Sequence, residues 1–342
     1  MKVLVTGVNG YIGSVLAGYL MDRGLDVVGL DTGYYRDGWL YSDKSLVRTP
    51  LTINKDLRDI SEDDLRGCQA IVHLAELSND PLGQNNPALT HKINHLGSVR
   101  IAAMAARLGV DRFVYASSCS VYGAGTGDFV DETTAPNPLT AYAECKVLVE
   151  RDVGKMADQA FCPVFLRNAT AYGPSPRMRF DIVLNDLAAL AWTVKKITMI
   201  SDGSPWRPLV HILDICAAIY CSLTAPAEAV RAKIFNVGQN SDNFRVRELA
   251  QIVADEFPGC AVIVGSSTGD NRSYRVNFDK IQRELPGFRC SFTPRDGARQ
   301  LHELFTRIRL TPEIYGFRAF TRLKQLNYLQ ATGQIDEALF WN

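Results

Sequence analysis

An apolar run, Val3-Leu4-Val5, passes almost at once into Gly7-Val8-Asn9-Gly10-Tyr11-Ile12-Gly13. Few patterns restrict a fold more. Glycines at i, i+3 and i+6 between a strand and a helix allow a tight turn, close approach of backbone to a pyrophosphate, and close helix–strand packing. The helix that opens there directs its N-terminal partial positive charge at the phosphates. The turn residues Gly7, Asn9, Gly10, Tyr11, Ile12 and Gly13 are therefore expected to cradle a dinucleotide, and the competing reading is a purely structural turn. Asp31 ends the next apolar run. A carboxylate there accepts both adenosine ribose hydroxyls and repels a 2′-phosphate, so NAD is expected rather than NADP. Asp56 and Leu57 follow the third run and suit the adenine edge; a helix-capping aspartate is the competing reading of Asp56.

Short apolar runs at 2–6, 26–30, 51–54, 70–74, 112–116 and 162–167 alternate with helical patterns at 12–23, 88–108 and 141–157. Alternation of this kind predicts βαβ units and a doubly wound parallel sheet. A further run at 233–237 is expected to return to that sheet. Breaker clusters at Gly173-Pro174-Ser175-Pro176 and Asp202-Gly203-Ser204-Pro205 mark a less regular second half. The expected organisation is a dinucleotide domain over 1–170 with a return segment near 211–242. A smaller α/β substrate lobe follows over 171–210 and 243–310, and helices are expected in the second half at 182–192, 212–223 and 247–256. The tail, 311–342, carries Phe317, Phe320, Leu323, Leu326 and Leu329 at helical spacing. It reads as a helix docked on the second lobe, with a dimer contact or a lid as the alternatives.

The 342 residues suffice for a large core and two lobes. Lysine plus arginine equals aspartate plus glutamate, 37 each, so no basic excess points to nucleic acid. Eight cysteines without a Cys-x-x-Cys pair argue against a zinc site and fit a reducing compartment. With no apolar stretch of about 18 residues and no signal-like N-terminus, neither a membrane nor export is expected, and the cytoplasm is the expected location.

Tyr142 and Lys146 lie one helical turn apart and project from one face. An ammonium beside a phenol favours the phenolate, lowering a pKa that starts near ~10 toward a working base. Ser118, just after the fifth strand, would hold a substrate hydroxyl toward Tyr142, and Lys146 could also bond the nicotinamide ribose. By itself a Tyr-x-x-x-Lys spacing is common on helices. The strand-terminal serines and the glycine turn give it its catalytic reading.

These residues resemble the extended short-chain dehydrogenase/reductase family, in particular its NAD-dependent nucleotide-sugar epimerases and dehydratases. The resemblance runs over about 1–310. It takes in the glycine turn, His73-Leu74-Ala75, Asn94, Ser117-Ser118-Cys119-Ser120-Val121-Tyr122-Gly123 and Tyr142 with Lys146. It continues through Leu166-Arg167-Asn168, Tyr172-Gly173-Pro174, Arg207-Pro208-Leu209-Val210-His211 and Asp270-Asn271-Arg272. It implies a Rossmann-type sheet, and a nucleotide-diphosphate sugar as the substrate. Leu74, Ala75 and Asn168 would line the cofactor, and Asn94 would brace the active-site helix. Arg207 and Arg272 would grip the sugar-nucleotide diphosphate, as a planar guanidinium can. Asn185 stands where relatives touch the nucleotide or diphosphate. Ser78 and Asn79, followed by Asp80-Pro81, stand where relatives contact the sugar, or form an Asx-type turn. Arg177 and Arg179 belong to a stretch seen in relatives acting on modified sugars; each reads as a phosphate or sugar contact or as part of a solvated loop. Relatives form homodimers through the helix before the fifth strand and the tyrosine helix. Ala102, Ala103, Ala105 and Ala106 would allow such an approach, or could face the home sheet.

The family's shared step is hydride transfer from a sugar carbon, usually C4, to NAD⁺ while the tyrosine takes the hydroxyl proton. Dehydratases of the family place an Asp-Glu pair directly after the catalytic Ser/Thr, and UDP-glucuronate decarboxylases a glutamate two residues after it. Here those positions hold Cys119 and Ser120, and Cys119 reads as a packed small residue. C4 epimerisation is thus the expected reaction. Simple C4 oxidation is the alternative, as is dehydration with Asp80 as the acid, and a non-catalytic dinucleotide-binding protein is the remaining one.

Overall fold

The computed structural model describes residues 1–41, 48–78, 80–124, 128–267 and 273–342. Seven strands form one parallel sheet: β1 (Lys2–Thr6), β2 (Asp26–Asp31), β3 (Leu51–Asn54), β4 (Ala70–His73), β5 (Arg112–Ser118), β6 (Cys162–Asn168) and β7 (Ile234–Val237). Their spatial order is β7-β6-β5-β4-β1-β2-β3. Side chains alternate across each strand. Val3 and Val5 pack with Leu16 and Leu20 on one face, while Leu4 packs with Ile71, Phe113 and Phe165 on the other. Helices cover both faces, so β6 is buried at every residue. The chain winds outward to β3 and then returns to β4 beside β1. Such a reversal leaves a crevice at the carboxyl ends of the strands. A cleft of about 620 Å³ opens there, between the sheet and a second core built around Leu184, Ala188, Leu209, Leu249, Leu301 and Phe305.

Two expected elements differ in the structure. The helix read over 88–108 is three pieces: Pro87–Thr90, a π-helical turn His91–Gly97, and Ser98–Arg107. The wide turn sits where Gly97 meets Leu57; a Cβ on Gly97 would lie 2.3 Å from the leucine Cδ1. Within Ser98–Arg107, Ala102 and Ala105 face the home sheet and are fully buried, while Ala103 and Ala106 are half-buried.

The tail does more than dock on the second lobe. Phe317 and Phe320 pack into that lobe's core. The chain then crosses over: Leu326, Leu329, Ile335 and Leu339 are buried against the β2–β4 side of the sheet. Trp341 Nε1 donates to Thr32 O at 2.6 Å, Gln325 Nε2 to Tyr34 O at 3.0 Å, and Arg58 Nη1 to Ala338 O at 2.6 Å. The tail is a strap over the loops that follow β2 and β3. Among the described residues no helix is long and apolar enough to cross a membrane, and no cluster of His, Cys, Asp or Glu is arranged for a metal.

Candidate active site

The glycine turn is as tight as its sequence demands. Gly7 sits at φ +71°, and a Cβ there would lie 2.9 Å from Ala75 N; one on Gly13 would lie 2.2 Å from Gly7 O. Only bare backbone fits, which leaves the cradle open to a ligand. Asp31 is fixed by two backbone donors, Asn9 N at 2.9 Å and Gly33 N at 2.7 Å. Burial raises its pKa, and those two N–H groups oppose the rise. Gly10, Tyr11, Ile12, Leu74 and Ala75 line the cleft as expected.

Asp56 takes the capping role. Its side chain accepts the Arg58 N–H at the start of the Leu57–Asp59 turn and the Arg58 guanidinium at two further points, each at 2.8 Å; the Tyr34 hydroxyl oxygen stands 3.2 Å away. These bonds fix the carboxylate at the cleft wall, which it lines. Leu57 is buried at the cleft wall.

Beyond β4 the backbone is pinned from below. Thr6 Oγ1 meets His73 Nδ1 at 2.6 Å and accepts from Leu74 N and Ala75 N. Burial first, then the nearby Lys146 charge, pushes the His73 pKa down to about 3, so the ring is neutral. Asn94 bonds Leu77 N at 2.9 Å and Leu77 O at 3.0 Å. It therefore braces this loop rather than the tyrosine helix.

Thr140 caps the Ala141–Gly154 helix through Ala143 N and donates its hydroxyl to Asp80 at 2.6 Å. Tyr142, Ser118 and Lys146 all line the cleft. Lys146 Nζ lies 5.3 Å from the Tyr142 ring centroid. Its partner is a residue the sequence reading passed over. Glu76, its side chain 3 % exposed, places Oε2 2.5 Å from Lys146 Nζ and receives the Tyr115 hydroxyl on Oε1 at 2.5 Å. Lys146 also donates to Ala116 O. The signal was available: a glutamate inside the apolar stretch Leu74-Ala75-Glu76-Leu77 needs a buried partner.

Glu76 changes the electrostatics expected for Tyr142. Burial raises the phenol's pKa, Lys146 lowers it, and the Glu76 and Asp80 charges raise it again, for a net rise. Burial opposes the Lys146 charge, but Glu76 and then Tyr142 outweigh it, and the ammonium is held charged. Burial also lifts the Glu76 carboxyl against the pull of Lys146. The short Lys146–Glu76 contact is that of an ion pair, and in that state the lysine serves two anions instead of one.

Below this layer, Ser117 and Arg167 both bond the buried Glu150, which ties the ends of β5 and β6 to the tyrosine helix. Breaking such a pair by removing one partner costs about 3–5 kcal/mol. Cys119 is buried, its thiol pushed up by burial and directed at Arg167 O at 3.2 Å, and it does not line the cleft. Asn168 reaches the cleft; its Oδ1 is buried and has no partner among the described residues, so an acceptor faces a ligand donor there.

On the second-lobe side, Arg207 and Ser78 line the cleft. Asn185 does not. It is buried with Oδ1 accepting from Gly173 N and Nδ2 donating to Tyr11 Oη and Arg179 O, so it fixes Tyr11 behind the cleft wall. Arg179 is buried, lines the cleft, and forks onto Asp181. Arg177 donates to Tyr35 O and Arg36 O and stacks on Trp39. A solvated loop describes neither. Asn79 and Arg272 lie outside the described residues.

A parallel sheet with this crossover, a bare glycine turn and a Tyr/Lys pair on one helix face place the molecule among the short-chain dehydrogenases/reductases. The chain belongs to the NAD dependent epimerase/dehydratase family, whose model matches residues 3–238, and NAD is its cofactor. The open Gly7–Gly13 cradle and the unpartnered Asn168 acceptor fit that group. A UDP-glucose 4-epimerase of Mycolicibacterium smegmatis is 30% identical over 328 residues, covering 89% of this chain and 98% of that protein. Protein CapI of Staphylococcus aureus is 27% identical over 87% of this chain and 96% of its own length. The solved structure of MoeE5 in complex with UDP-glucose and NAD superposes with a TM-score of 0.76 at 27% identity, covering 90% of this chain and 99% of that one.

Proposed function

We propose that the protein is a nucleotide-sugar C4 epimerase. Ser118 orients the C4 hydroxyl, and Tyr142 as phenolate takes its proton while the carbon is oxidised. The Gly7–Gly13 turn and Asp31 would hold NAD⁺, which would supply a reversible hydride acceptor. The 4-keto sugar turns over in the cleft, and Tyr142 returns the proton to the opposite face. Lys146 works against the burial and the Glu76 charge that oppose the phenolate, and Arg207 holds the sugar-nucleotide diphosphate. The observation that carries this reading is the turn after Ser118. It offers no carboxyl group, and its Cys119 is buried away from the cleft, so an acid for expelling a leaving hydroxyl is missing there. One observation favours a second reading, dehydration: Asp80 lines the cleft and adds its charge to Tyr142.

The test is a panel of nucleotide sugars with NAD⁺ in D2O, followed by chromatography and mass spectrometry. A product of unchanged mass and shifted retention supports C4 inversion. Loss of water supports the Asp80 reading, loss of two hydrogens supports net oxidation, and deuterium gain points to inversion beside the ketone. We further propose a reducing, cytoplasmic setting, which the eight free cysteines fit. For assembly we propose a homodimer across the 98–107 and 141–154 helices, beside which Leu96 is exposed; light scattering at the mass of one chain would end that proposal.

A further inference from the structure

The strap brings a charge into the cleft. Arg322, at the start of the tail helix Arg322–Ala331, is 2 % exposed and lines the cleft. Its backbone N–H donates to Asp181 at 3.3 Å. Its guanidinium stacks on the Tyr35 ring at 4.0 Å, but among the described residues it forms no hydrogen bond or ion pair. Of the neighbouring arginines, Arg179 lines the cleft but is already engaged, and Arg177 does not line it. Arg179 is forked onto Asp181 and reaches Ser78, and Arg177 is bound to two backbone carbonyls. A buried guanidinium with all its donors idle is costly unless something anionic completes it. Burial, and then the like charge of Arg179, pulls the Arg322 pKa down to about 10, with Tyr35 and Asp181 opposing.

The position of Arg322 says which anion. Asp31, the carboxylate for the adenosine ribose, feels Arg322 and Arg177. Tyr142, at the nicotinamide end, is felt by Arg179. The Arg322 N–H and the Arg179 guanidinium meet on one carboxylate, Asp181. Arg322, against Tyr35 on the loop after β2, and Arg179, reaching Ser78 on the loop after β4, thus stand between the Asp31 and Tyr142 ends of the cleft. The two phosphates of a dinucleotide fall between its two ribosides. The glycine turn meets them with backbone N–H groups on one side, and the strap meets them with a cation on the other.

We propose that Arg322 is a diphosphate-binding residue, carried by the C-terminal strap, that closes the cofactor groove over the NAD pyrophosphate. A diphosphate also occurs in the nucleotide-sugar substrate, so the experiment separates the two. Binding of ADP-ribose, adenosine and UDP is measured by calorimetry on cofactor-free wild type, Arg322→Gln and Arg322→Lys. In Arg322→Gln the ADP-ribose affinity is expected to fall about tenfold or more, while adenosine and UDP stay within threefold. Arg322→Lys keeps the charge and should recover most of the loss. A drop in UDP affinity with ADP-ribose unchanged overturns the proposal, because the arginine then reads the substrate. Equal losses for ADP-ribose and adenosine, or no change in either, also overturn it, because the strap is then only a brace. Failure of Arg322→Lys to recover ADP-ribose binding, with adenosine binding intact, counts against a charge-based role.

Discussion

The two ends of the cleft hold their key groups by different means. At the Asp31 end, a carboxylate is fixed by the N–H groups of Asn9 and Gly33, within a loop that bare glycines make possible. At the Tyr142 end, each ionisable group is held by another: Tyr142 by Lys146, Lys146 by Glu76, Glu76 by Tyr115. Backbone dipoles keep their value at every working pH. A chain of titrating partners has a set point that one substitution can move. Binding is thus built on the first kind of support and proton transfer on the second.

The largest effect should come from Tyr142→Phe. Loss of the base is expected to lower kcat about 10²–10⁴-fold, with NAD binding unchanged, as single-turnover absorbance at 340 nm and calorimetry would report. Comparable losses in both would break the division between the two ends. Next, Gly13→Ala forces a Cβ to within 2.2 Å of Gly7 O. Overpacking of that kind costs about 1–3 kcal/mol, or roughly ten- to a hundredfold in NAD affinity if it falls on the cradle. The hydrogen–deuterium exchange of the Ala141–Gly154 helix should stay as it was.

The smallest effect sharpens the comparison most. In Glu76→Gln the charge that opposes Lys146 is gone, and the Tyr142 pKa should fall. Activity requires the phenolate, so it rises with pH through that pKa. The rising limb of the kcat profile should therefore move toward acid, and NAD affinity should stay level. A limb that stays in place would remove Glu76 from the circuit.

What was legible follows the same division. β1 to β7 and the glycine turn could be read because buried parallel strands are continuous apolar runs and the turn tolerates only glycine. Tyr142 and Lys146 could be read because four residues of helix fix their relation. Pairings across the fold could not. That Asp56 meets the Arg58 guanidinium, and Asn185 meets Tyr11 and Gly173, depends on loops meeting in space. Glu76 carried a signal in its apolar setting, but the identity of its partner did not follow from it. The tail's helical spacing announced a helix; which surface it would cross was decided by Thr32, Tyr34 and Arg58, some 300 residues away.

That distance has a kinetic meaning. The Tyr34 hydroxyl donates to Leu339 O across 305 residues of chain. Closing a loop of that length carries more entropy than pairing nearby segments, so the strap's contacts raise the contact order that slows folding. The sheet and its glycine turn draw on nearer segments. In pulsed hydrogen exchange during refolding, the amides of the strap are expected to gain protection after those of the sheet.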